Sequence, residues 1–148
     1  MKSDDAALVR FLDVMADVRE QFRKVHIRAE NAATFTSVTT SVSPFRESAS
    51  TTFPTPPGVS LSFFLDASLN EPDRDGKSSI GVSVTISRVG DQWLVEGEVG
   101  WTYVRVGWDS FEEAEIVLDS SESLMDRLPT FAKSTLETYE KAVADYLR

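Results

Sequence analysis

Glu96 and Glu98 are the one pair of acidic residues whose spacing suggests chemistry, because residues two apart on a β-strand face the same way. Their side chains would stand roughly 6.5–7 Å apart, a separation that suits the two carboxylates of glycoside hydrolysis. The neighbouring Ser83, Thr85 and Thr102 are polar, however, and indicate the solvent side of a sheet. Carboxylates there stay ionised at neutral pH, so the raised pKa of an acid catalyst is not expected. We predict no catalytic residues and keep a small carboxylate-dependent hydrolase as the third hypothesis.

The other residue types that carry chemistry form no recognisable site. The chain has no cysteine, which removes disulfides, thiolate metal ligands and cysteine nucleophiles from consideration. Its one histidine, His26, lies beside an apolar helical stripe, and we interpret it as a helix-flank residue. The seven glycines are scattered and make no phosphate-binding loop, and no residues have metal-ligand spacing. We therefore predict neither a cofactor nor a metal.

The distribution of charge is the clearest functional signal. Fifteen Lys and Arg against twenty-four Asp and Glu give a net charge of −9, which argues against nucleic acid and anionic membranes as partners. The imbalance lies in residues 59–148, and between Asp91 and Asp126 ten acidic residues are opposed only by Arg105. Such a concentration fits a solvated face that aids solubility, and it also fits a surface that meets a basic protein.

An acidic surface with an aromatic anchor is the form that we expect such a binding site to take. Charge speeds the encounter with a basic protein, and an aromatic side chain anchors the contact. The predicted partner-binding residues are Glu96, Glu98, Trp108, Asp109, Glu112, Glu113 and Glu115. Trp108 has an alternative interpretation as a core residue, which would remove the anchor.

Two runs of alternating residues around Gly90-Asp91 predict a β-hairpin, which would carry Glu96 and Glu98. Glycine tolerates the positive φ that tight hairpin turns demand. A turn at this place sets Ile86 opposite Val95 and keeps the apolar pairs on one face. A slip of one residue would set Ile86 opposite Glu96 instead, so burial specifies the register.

Periodicity predicts the elements on either side of the hairpin. Apolar residues at spacings of three and four indicate a long helix over residues 4–31, and a short strand near 34–42 and a second strand over 59–69 follow. We favour a strand over 111–118, with a helix as the alternative. The last helical region starts near Asp119, and Pro129 is expected to divide it.

The segment between the first two predicted strands, residues 43–58, is rich in Pro, Ser and Thr. Its four prolines each remove a backbone donor and fix φ. We predict a long surface loop, since such a segment can be neither a central strand nor a helix.

These elements predict a single α+β domain over residues 1–148, with an antiparallel sheet of about four to five strands. A long N-terminal helix and a C-terminal helix would pack on one face of that sheet. The first helix would be roughly 40 Å long, and a homodimer through its apolar stripe stays open beside packing within the chain. The start, MKSDDAALVRFL, lacks the basic segment of a signal peptide, and no stretch has the length and apolarity of a membrane span. We expect a cytoplasmic protein.

The leading functional hypothesis is a non-catalytic, acidic protein-binding module of bacterial type. Its most concrete form is an immunity protein that neutralises a basic toxin or effector by occluding its active surface. The nearest alternative is a secretion-chaperone-like dimer that holds an extended protein segment on apolar grooves, because small size, acidity and a mixed fold would serve that task too.

Overall fold

The computed structural model describes the backbone of residues 2–32, 34–48 and 58–148, and the side chains of residues 5–32, 34–42 and 60–148. Its elements are, in chain order, α1 (Lys2–Glu30), β1 (Phe35–Ser48), β2 (Gly58–Leu69), β3 (Lys77–Val89), β4 (Gln92–Tyr103), β5 (Gly107–Leu118) and α2 (Ser121–Tyr146). The five strands form one antiparallel sheet in the order of the sequence. Both helices pack on one face of it, so the predicted α+β class is confirmed.

The hairpin of β3 and β4 has the predicted register. Ile86 pairs with Val95 and Ile80 with Trp101, and all four side chains are buried. Gly90 adopts φ +63 in the two-residue turn, a conformation that costs glycine little. The alternation of apolar residues and the turn at Gly90 together specify this part of the sheet.

The core lies between the sheet and the two helices. α1 lies against β1 and β2, and α2 lies against β3, β4 and part of β5. Phe22 of α1 packs on Phe63 with the ring centroids 5.8 Å apart, and the fully buried Tyr139 of α2 donates its hydroxyl to the Ile80 carbonyl at 3.4 Å. The close approach of α2 depends on Gly97, since a Cβ there would lie 2.6 Å from Thr135 Oγ1.

β1 is longer than the sequence suggested. The prediction of a loop over 43–58 is wrong for residues 43–48 and for Gly58, which belong to β1 and β2. β1 is an edge strand, where a missing N–H of Pro44 is tolerated, and its register shifts between Ser43 and Arg46. The rest of the predicted loop, residues 49–57, lies outside the described residues.

α2 is one continuous helix, and the prediction that Pro129 divides it is wrong. Leu128 and Ala132 are fully buried on either side of the proline. Packing of this face offsets the roughly 3 kcal/mol that an internal proline costs. The Pro129 carbonyl also accepts a hydrogen bond from Gln21 Nε2 at 3.1 Å, which ties α2 to α1.

The apolar stripe of α1 is buried only in its second half. Val18, Phe22 and Val25 are buried, whereas Leu8 and Leu12 are 56% and 55% exposed. α1 has 29 residues and is therefore roughly 43 Å long. In the described part of the chain, neither helix combines the length and the apolarity needed to cross a membrane.

Candidate functional site

β5 decides where the predicted binding residues lie. It pairs antiparallel with β4 at the edge of the sheet, which confirms the predicted strand over 111–118 and extends it back to Gly107. Residues directly opposite each other on paired strands share a face. We call the side of the sheet that neither helix covers the open face.

Four glutamates meet on the open face. Glu96 lies directly opposite Glu115, and Glu98 lies directly opposite Glu113. We call these four residues the glutamate quartet. Like charges directly opposite on neighbouring strands destabilise a sheet, typically by about 0.2–1 kcal/mol per pair. Among the described residues no Lys or Arg forms a salt bridge with any member of the quartet, so its charge is available to another molecule.

Glu96 has the other three carboxylates of the quartet as electrostatic neighbours. Burial raises its pKa, and the charges of Glu115, Glu98 and Glu113 raise it further. The sequence indicated only a solvent-facing carboxylate at this strand position and did not predict this upward shift in the pKa of Glu96. The sequence showed only its neighbour on β4, whereas the sheet brings two more carboxylates from β5. No set of three or more His, Asp or Glu side chains in the described ranges is arranged to hold a metal ion.

Asp109 and Glu112 lie on the other side of the sheet. Asp109 pairs with Trp101 and Glu112 pairs with Val99, and both of these partners are buried toward the helices. The structure thus brings five of the seven predicted binding residues onto the open face and separates these two from them. The separation follows from alternation along β5, because Glu112 and Glu113 are adjacent and must face opposite ways.

Trp108 belongs to the open face, and the alternative of a core position does not hold. It pairs with Thr102 and is 39% exposed. Its Cζ3 atom lies 3.1 Å from the position that a Cβ on Gly81 would occupy, so the indole covers that glycine. Gly81 is paired in turn with Gly100. Because neither glycine has a side chain, this pair on neighbouring strands leaves room for the indole ring close to the backbone of the sheet.

Asp66 lies next to the same glycine as Trp108 and was missed by sequence reasoning. Its Oδ1 lies 3.2 Å from the Gly81 Cβ position, and this oxygen is buried with no hydrogen-bond partner among the described residues. Burial raises the pKa of Asp66, against the effect of a hydrogen bond from Ser79. In the sequence Asp66 is one polar residue in an alternating strand, and only its pairing with Gly81 brings it near Trp108.

Apolar groups flank the quartet at both ends. Leu94 pairs with Val117 one step beyond Glu96 and Glu115, and Val117 is 56% exposed. Trp108 stands beyond the opposite end. The whole surface runs roughly 26 Å along the strands. We call it the acidic strip, and it comprises Leu94, Glu96, Glu98, Trp108, Glu113, Glu115 and Val117.

A groove lies between α1 and the first two strands. Its volume is about 900 Å³, and its walls include Phe11, Leu12, Met15, Val42, Leu61 and Phe63. His26 lies at this groove, where Nδ1 is 2.6 Å from Thr40 Oγ1 and Nε2 is 2.7 Å from Glu30 Oε2. The histidine thus links helix to strand, as a helix-flank residue can.

Comparison of the chain with protein-family models, with curated proteins and with solved structures finds no match. The geometry of the acidic strip and of the groove is therefore the basis for a functional proposal.

Proposed function

We propose that this protein is a non-catalytic binding module of the bacterial cytoplasm, and that its acidic strip receives a basic protein. In its most concrete form it is an immunity protein. It would neutralise a basic toxin or effector by covering the cationic groups with which that partner holds its own substrate.

One observation supports this proposal above the others, namely the two Glu–Glu pairs that face each other across β4 and β5. Each pair costs the isolated protein stability. A Lys or Arg side chain placed between two such carboxylates would remove the repulsion and form charge-assisted hydrogen bonds with both. The isolated sheet thus carries a like-charge repulsion that a cationic partner would remove.

The groups around the quartet suit a protein partner better than a small cation. Trp108, Leu94 and Val117 are partly exposed apolar groups at the two ends of the charge. Aromatic anchors supply much of the energy of protein interfaces, while complementary charge increases the rate of association. The net charge of −9 would add long-range attraction for a basic partner at low salt.

The test is affinity capture from an extract of the source cells with three immobilised forms of the protein. These are the wild type, the double variant Glu113→Lys with Glu115→Lys, and the single variant Glu112→Lys. Glu112 lies beside the quartet in sequence but on the other side of the sheet, which makes it the matched control. We expect one basic protein to be retained by the wild type and by Glu112→Lys and to be lost from the double variant. Retention of the same protein by the double variant would contradict the proposal.

The groove beside α1 favours the secretion-chaperone-like alternative, in which an extended protein segment lies against apolar side chains. Phe11, Met15, Leu61 and Phe63 give the groove the required apolar character. Under this alternative, Met15→Glu would abolish capture of the partner and the quartet variants would not. The two proposals therefore make opposite predictions for the same capture experiment.

A further inference from the structure

The first half of α1 carries an exposed stripe that is apolar in the middle and oppositely charged at its two ends. Asp5, Leu8, Leu12, Ala16 and Arg19 recur at spacings of three and four and are all exposed, so they line one side of the helix. We call them the outer stripe. Leu8 and Leu12 are each more than half exposed and lie one turn apart, so together they form an exposed apolar patch.

No element of the described chain lies over the outer stripe. α2 holds α1 from another side, through the ion pair of Arg10 with Asp126 and the hydrogen bond of Gln21 to the Pro129 carbonyl. Within the described residues, neither Asp5 nor Arg19 has a salt bridge or a side-chain hydrogen bond. The outer stripe runs into the groove, which Leu12, Ala16 and Arg19 help to line.

The outer stripe is complementary to itself when a second copy runs antiparallel. With a twofold axis at Leu12, that leucine meets its own counterpart and Leu8 meets Ala16. The same operation brings Asp5 of each copy to Arg19 of the other, so that two ion pairs close the ends of the apolar contact. A parallel arrangement would instead set Asp5 against Asp5 and Arg19 against Arg19, which is repulsive.

We propose that a second copy of this chain covers the outer stripe, and that the protein is a twofold homodimer through antiparallel α1 helices centred on Leu12. The helices would overlap over roughly 30 Å. Charge complementarity indicates that the partner is a second copy. The outer stripe is acidic, then apolar, then basic, and the same stripe running antiparallel places a basic, an apolar and an acidic group opposite these. The acidic strip lies on the opposite side of the sheet, so the dimer leaves both strips uncovered. The proposed dimer therefore does not rest on the proposed function.

The test exchanges the two charges. The variants Asp5→Arg and Arg19→Asp each turn both ion pairs into repulsive pairs, and we expect each to raise the Kd of the dimer about tenfold or more in sedimentation velocity at low salt. Mixing the two single variants should give a heterodimer, since each then meets the opposite charge on the other. The double variant, Asp5→Arg with Arg19→Asp, should restore the homodimer. Lys141→Asp, at an exposed position on α2, serves as the control and should leave the Kd unchanged.

The outcomes are decisive in both directions. A monomeric wild type at concentrations of about 100 μM overturns the proposal, because weaker association would not fit a specific interface. A dimer that neither single variant weakens shows that another surface holds the copies together. A third outcome is that both single variants are monomeric, that their mixture gives no heterodimer and that the double variant does not dimerise. This outcome would show that the ion pairs are not formed as proposed.

Discussion

Glu96 and Glu115 stand directly opposite each other on β4 and β5, and both side chains lie on the open face of the sheet. Glu98 and Glu113 repeat the arrangement one step along. A sheet selected for stability alone would place opposite charges or apolar groups at such positions. Local violations of this kind are typical of functional surfaces, and the surface here suits a cationic partner.

The first prediction concerns stability and pH. The folded state raises the pKa of Glu96, so it binds a proton more tightly than the unfolded chain does. This group therefore lowers stability at pH values above its folded pKa, and the loss disappears as the pH falls below its unfolded pKa of about 4.3. Glu96→Gln should raise the Tm at pH 7, and the gain should shrink steadily in thermal melts taken down to about pH 4.

Glu112→Gln is the control for this prediction, because Glu112 lies on the other side of the sheet. It should change the Tm little and show no comparable trend with pH. A Tm that falls at pH 7 in Glu96→Gln, or a gain that does not depend on pH, would show that the ionised Glu96 carboxylate does not destabilise the folded protein.

The second prediction concerns the contact between α2 and the sheet. A Cβ on Gly97 would lie 2.6 Å from Thr135 Oγ1 and 3.1 Å from Phe131 Cε1. Gly97→Ala should therefore destabilise the protein by about 1–3 kcal/mol, the usual cost of overpacking. Denaturant unfolding measures the loss, and adding Thr135→Ala should recover part of it by removing the closer clash. Equal stability of Gly97→Ala and the wild type would mean that α2 packs less tightly on β4 than described.

The third prediction concerns the place of Trp108. A methyl group at position 81 would lie 3.1 Å from Trp108 Cζ3, so Gly81→Ala should push the indole away from the sheet. In NMR spectra, the indole N–H resonance of Trp108 can be assigned by its absence in Trp108→Phe. This resonance should shift in Gly81→Ala, whereas the indole resonances of Trp93 and Trp101 should keep their chemical shifts. An unmoved Trp108 resonance would show that the ring does not rest over Gly81.

The hairpin could be predicted from sequence because its pattern leaves one good solution. A slip of one residue would expose the apolar groups of β3 and β4, and the turn at Gly90-Asp91 fixes the register that sets Ile86 opposite Val95. β5 offers no such constraint, since Glu112 and Glu113 are both charged although they face opposite sides. The split of the predicted binding residues between two faces therefore became visible only through the pairing of β5 with β4.

The two proline errors have a common physical origin. Because proline removes a backbone donor, the sequence pattern predicted a loop at Pro44 and a helix divided at Pro129. Pro44 lies in an edge strand, and Pro129 lies in a helix whose buried face continues past it. Asp66 could not have been found from sequence for a related reason, because its proximity to Gly81 and Trp108 depends on pairing across four strands.

The most direct test of the proposed function is the affinity for the captured basic partner, measured by calorimetry at low and at physiological salt. For the wild type we expect binding that weakens as salt increases, because exposed charges are screened. The double variant Glu113→Lys with Glu115→Lys should bind about a hundredfold more weakly at low salt, while Glu112→Lys, on the other face, should stay within about threefold of the wild type. Wild-type affinity in the double variant, or an equal loss in Glu112→Lys, would contradict the claim that the open face of β4 and β5 is where the partner binds.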